Sequence, residues 1–130
     1  MSDTVIVTIP PDSGFLHILR QLTGGVAARL RLTIDDIEDL KLAVDEAASA
    51  MITFLPGASE IALAIDTDDA ALRATVSSDA ATDTWPIQGL LDSLSWKVIA
   101  GLVGEARAER DEGGRPSIVL LKPTLAATDR

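Results

Sequence analysis

The sequence predicts an α+β fold, a two-layer sandwich with a mixed, mostly antiparallel sheet of about five strands and three helices on one face. Two observations carry this reading. Apolar periodicity along the chain runs in the order β-α-α-β-β-α-β-β, so strands arrive in hairpins rather than singly between crossover helices. The core material is aliphatic: the only aromatic residues are Phe15, Phe54, Trp85 and Trp96.

Thr4 to Ile9 is a β-branched run stopped by Pro10 and Pro11, whose missing N–H groups cannot continue a ladder. From Ser13 the spacing turns helical, with Phe15, Leu19, Leu22, Val26 and Leu30 expected inside and His17, Arg20, Gln21, Gly24 and Ala28 outside. Thr33 is placed to cap a second helix, with Asp35 and Asp36 at the positive end of its dipole and Ile37, Leu40, Val44, Ala47 and Met51 as its core stripe. After Pro56-Gly57, the alternating runs Ile61-Leu63-Ile65 and Leu72-Ala74-Val76 form a hairpin around the acidic turn from Asp66 to Asp69. Residues 78–88 show no period. Leu91, Leu94, Val98 and Leu102 then repeat at helical spacing behind a cap at Asp92 or Ser93. Glu105 to Arg110, the turn Asp111-Glu112-Gly113-Gly114 and the strand Ser117 to Leu121 close a domain expected over residues 1–123, with a flexible tail from Thr124 at 124–130.

At 130 residues, 47% of them hydrophobic, the chain suits one domain with a self-sufficient core. It has no cysteine and a single histidine, His17, which excludes disulfide frameworks, cysteine zinc sites and thiol nucleophiles. With 20 acidic against 11 basic residues the net charge is −9, which repels nucleic acid and anionic lipid. Tyrosine is absent, so there is no aromatic platform for bases. Neither a leader nor an apolar run of the ~20 residues that span a bilayer is legible, and a cytoplasmic protein is expected.

The stretch from Asp36 to Ile52, above all LKLAVDEAASAMI, resembles the second helix of RsbW-type anti-sigma factors, the serine-kinase branch of the histidine kinase-like ATPase superfamily. The element order derived above is also the one this resemblance implies. In that family the helix carries a glutamate that can act as general base and, four residues later, an asparagine whose carbonyl holds magnesium; the spacing makes them neighbours on one face. Glu46 matches the first and Ala50 replaces the second. A methyl group cannot coordinate a metal, a loss expected to cost at least about 1.4 to 3 kcal/mol of metal binding or barrier.

The resemblance also implies an adenine-reading aspartate at Asp79, followed by glycines that here are Ala81 and Asp83. Asp83 would set a negative charge toward phosphate, a repulsion of roughly 4 kcal/mol at 4 Å and an effective dielectric of 20. The glycines that open the helix behind a triphosphate correspond to Ser93 and Ser95, whose backbone donors survive. ATP and magnesium are thus the implied cofactors, held by an eroded set of residues. The implied partners are a sigma factor, gripped through the first helix of a homodimer, and a STAS-type antagonist that takes the same surface. Arg20, with His17 one turn before it, is the implied contact, since a guanidinium can fork a carboxylate.

Each residue also has an ordinary alternative: Glu46 an exposed helix acid, Asp79 a turn residue, Arg20 a solvated arginine, His17 a surface histidine, Gly89 a turn glycine. The leading expectation is an anti-sigma factor acting by protein binding with its ATP chemistry reduced or gone. The alternative is an active serine kinase that uses Glu46 as base.

Overall fold

The computed structural model describes residues 3–67 and 70–124. β1 (Asp3–Ile9) leads through a 3-10 turn at Ser13–Phe15 into α1 (Leu16–Ala27) and α2 (Ile34–Phe54), followed by β2 (Ile61–Thr67), β3 (Ala71–Ser78), α3 (Leu94–Leu102), β4 (Glu105–Arg110) and β5 (Pro116–Pro123). The strands form one sheet in the order β1-β2-β3-β5-β4, and every ladder is antiparallel. The element order is the expected one, while no parallel pair of the anticipated mixed sheet occurs among the described strands.

Register explains which face is covered. Val7, Leu63, Val76, Ile118 and Ala108 lie opposite one another across the sheet, and Leu63, Val76 and Ile118 are fully buried. Both hairpin triplets read from the sequence, Ile61-Leu63-Ile65 and Leu72-Ala74-Val76, are fully buried and pack in one core cluster with the helices. Alternate residues such as Thr8, Ala64, Thr75 and Arg107 line the opposite, helix-free face.

α2 is the central helix. Thr33 caps it, its Oγ1 accepting from Asp36 N at 3.0 Å, as expected. Ala43, Ala47, Ala48 and Ala50 are all buried along it, and such small side chains let α1, α3 and the sheet approach closely. Lys122 on β5 ties the far end of the layer: its Nζ donates to Leu102 O at 3.0 Å and lies 3.5 Å from Asp36 Oδ1.

Two expected stripes are corrected. In α1 the buried residues are Leu16, Leu19, Thr23 and Ala27; of the expected stripe Leu22, Val26 and Leu30 are half-buried against the core, and Phe15 is exposed. The 3-10 turn, capped by Asp12 Oδ1 accepting from Gly14 N at 2.9 Å, shifts the helical phase, and Thr23 satisfies its hydroxyl on Leu19 O at 2.7 Å. In α3 only Ile99 is buried, and Leu91, Leu94 and Val98 face outward. At the other end, Thr124 is buried and its N–H bonds Ala70 O at 3.0 Å; the remaining residues of the expected flexible tail, and the turn residues Asp68 and Asp69, lie outside the described residues.

Candidate functional site

α2 places Glu46 on the side that faces α3, where Ser95 Oγ donates to Glu46 Oε2 at 2.8 Å. Ser95 sits in the first turn of α3 because Ser93 caps that helix, its Oγ accepting from Trp96 N at 3.1 Å. The same Ser93 hydroxyl donates to Leu90 O at 2.6 Å. Ser93 is therefore engaged as donor and as acceptor in holding the helix entry, and Ser95 spends its proton on Glu46. One turn beyond Glu46, Ala50 is 3% exposed and presents no oxygen.

Asp79 follows the end of β3, and its Oδ1 accepts from Ser59 N at 2.7 Å and Glu60 N at 3.1 Å, which staples the entry of β2 to the exit of β3. Burial pushes the Asp79 carboxyl up, but the bonds from the Glu60 and Ser59 amides and the Arg115 guanidinium outweigh it and hold the group below the usual carboxylate range. The ordinary alternative, a structural turn acid, thus has its geometry here. Arg115 pairs in turn with Glu60 at 3.1 Å.

Between Asp79 and Ser93 the backbone is irregular and tied to the β4–β5 hairpin, level with the exit of β3. Trp85 Nε1 donates to Glu109 O at 3.0 Å and Ser117 O at 3.2 Å, and Arg110 Nη2 donates to Thr82 O at 2.8 Å. Ala81 and Asp83 are exposed, and Gly89, at φ +91°, serves a turn that only glycine makes without strain.

On the other side of α2, Arg20 Nη1 meets Asp45 Oδ1 at 2.6 Å, with the side chains 40% and 31% exposed. The sequence places Arg20 in solvent; the structure gives it a partner on α2 while leaving it accessible. His17 is exposed one turn earlier, its Nδ1 3.1 Å from Gly14 O. Glu46, Ser93 and Ser95 are thus brought together at the α2–α3 junction, Arg20 and His17 lie on α1, and Asp79 is bonded to the β2 entry. Sequence reasoning missed Asp45, Trp85 and Lys122. Only Trp85 had a signal of its own, as one of the chain's two tryptophans.

A magnesium nucleotide does not fit this set as a whole. The residue one turn after Glu46 is a buried methyl, which supplies no oxygen where the resemblance implies the magnesium-holding asparagine. A polar groove of ≈ 480 Å³ between Thr75, Ser77 and Val119 and the Asp111–Gly113 turn lies on the helix-free face, away from Glu46. No described helix is long and apolar enough to cross a membrane.

No family model matches the chain. It is 42% identical over 50 residues to a serine-protein kinase RsbW of Halalkalibacterium halodurans, a match covering 38% of this chain and 31% of that one. It is also 45% identical over 47 residues to a serine-protein kinase RsbW of Bacillus velezensis, covering 36% and 29%. The matched part therefore spans about a third of the length of these curated relatives. Among solved structures, the histidine kinase domain from a blue-light activated histidine kinase of Erythrobacter litoralis superposes with a TM-score of 0.58 at 17% identity, over 93% of this chain and 64% of that one. Local sequence similarity and whole-chain fold similarity point the same way: the chain has the fold of a histidine kinase domain, and over about a third of its length its sequence is similar to RsbW serine-protein kinases.

Proposed function

We propose that this chain is a cytoplasmic anti-sigma factor: it sequesters an alternative sigma factor by protein binding and is countered by a STAS-type antagonist that takes the same surface. The observation that supports this reading most is the combination at α2, a retained Glu46 with a buried Ala50 where a metal-binding oxygen is needed, beside an accessible Arg20 on α1. Arg20, with His17, is the proposed contact for partner carboxylates, and release of Asp45 accompanies capture. In this reading the chain works as a homodimer joined through β1, an edge strand on which Val5 and Ile6 are exposed.

A second reading, an active kinase that phosphorylates a serine of the antagonist, is favoured by one observation: the Glu46 carboxylate already receives a serine hydroxyl at 2.8 Å, the geometry a general base needs. Capture from native cell extract on the immobilised full chain, followed by incubation of the captured antagonist with labelled ATP, separates the two. The first reading expects a sigma factor among the captured proteins and no label transferred. Label on the antagonist would replace it by the second, and capture of neither protein would sink both.

A further inference from the structure

The solvent side of the α2–α3 seam carries an apolar stripe that no described element covers. Leu94 is 77% exposed, Leu42 54%, Leu91 49% and Val98 40%. The two helices run antiparallel, since Ser95 at the start of α3 bonds Glu46, while Lys122 joins Leu102 at its end to Asp36 in the first turn of α2. Leu42 lies about 6 Å down α2 from Glu46, and Val98 about 4.5 Å along α3 from Ser95, so they reach the same level. Leu94 and Val98 share a face by their spacing of four. Monomeric proteins rarely leave such a row bare unless it receives something.

The charges along the seam say what it receives. Asp35, Asp39 and Glu46 stand seven before, three before and four after Leu42, spacings that put them on its face, and Asp92 adjoins Leu91. Glu38 and Asp45, four before and three after Leu42, share this face but are already paired, with Lys41 at 3.1 Å and Arg20 at 2.6 Å, which leaves Lys97 as the opposing charge on α3. An acidic margin on a chain of net charge −9 attracts a cation and repels a second copy of itself. We propose that this seam docks an amphipathic helix of a partner protein whose apolar residues recur every three to four positions and whose flanks are lysine or arginine. Asp45, three after Leu42, shares this face and is held by Arg20 on α1, so the seam adjoins the Arg20 surface; the proposal rests on the apolar row and its charges and does not depend on the sigma-factor reading.

The test is fluorescence anisotropy of the full chain with a labelled 18-residue leucine–lysine peptide of helical spacing, against a scrambled peptide of the same composition. Saturable binding is expected, at least about tenfold weaker for the scrambled peptide and for the Leu94→Ser/Val98→Ser double variant, whose fold is checked by circular dichroism. Should that variant not fold, Leu94→Ala, at a position with little to lose in packing, is expected to weaken binding about threefold. Arg73→Gln, exposed on the helix-free face of β3, leaves affinity unchanged. Equal binding of both peptides, or no effect of the seam substitutions, overturns the proposal. So does a dimer in light scattering that Leu94→Ser dissociates, since the face would then belong to a second copy.

Discussion

The Arg20–Asp45 pair gives the account its sharpest prediction, because the free and bound states draw on it in opposite ways. In the free chain the two groups meet at 2.6 Å, yet both side chains remain about a third or more exposed. Water therefore screens the pair, and its coupling is at most about 1 kcal/mol. A double-mutant cycle on Arg20→Ala, Asp45→Ala and the double variant, read by urea denaturation, should return a value in that range. In a complex where Arg20 turns to a partner carboxylate and loses its water, Arg20→Ala should cost about 2 kcal/mol or more, roughly thirtyfold in affinity. Asp45→Ala should do the reverse. It removes a competitor worth up to about 1 kcal/mol, and so tightens binding by up to about fivefold. Isothermal titration of the captured sigma factor into each variant reads both numbers. Weakening by Asp45→Ala equal to that by Arg20→Ala would show that the pair only braces α1 on α2, and an unchanged affinity for Arg20→Ala would return Arg20 to ordinary surface.

Other perturbations follow from the same geometry. Ala50→Asn places an amide where the structure holds a buried methyl; unfolding titrations should show a loss of about 1–3 kcal/mol, and calorimetry should show magnesium-dependent nucleotide binding only if the rest of the site keeps its shape. Asp79 has its folded pKa below its unfolded one, so the carboxylate stabilises the fold above the unfolded pKa and that contribution is lost as pH falls through the folded value. The stability gap between wild type and Asp79→Asn should accordingly be larger at pH 7 than at pH 3, and a gap independent of pH would contradict the assignment. Trp85→Phe removes the donor shared by Glu109 O and Ser117 O; a loss of about 1–2 kcal/mol by thermal denaturation is expected, and none if the tie is idle.

The sheet was legible because its alternation has one solution. Ile61-Leu63-Ile65 and Leu72-Ala74-Val76 place β-branched and aliphatic residues at a period of two between turn signals, and a slip of one residue would expose all of them. α2 was legible from its cap at Thr33 and its long apolar period. α3 and its cap at Ser93 were legible too, but its buried face was not, since a helix apolar on most sides gives no phase from which to tell inside from outside; Leu94 and Val98 looked like core and face solvent. α1 was offset by a turn that periodicity cannot see, the 3-10 segment at Ser13–Phe15.

The candidate site was legible only as residue types. Glu46 and Ala50 stand on one helix, so their relation follows from spacing alone. The bonds that decide what the others do join residues far apart in the chain: Arg20 to Asp45, Ser95 to Glu46, and Asp79 to the Ser59 and Glu60 amides. No pattern along the sequence encodes those distances.

The most direct test of the central claim is one calorimetric sample of the purified full chain, titrated first with ATP and magnesium and then with the captured sigma factor. No magnesium-dependent heat is expected in the first titration, and a saturable complex in the second. Tight magnesium-dependent uptake of nucleotide with no heat on adding the sigma factor would contradict that claim.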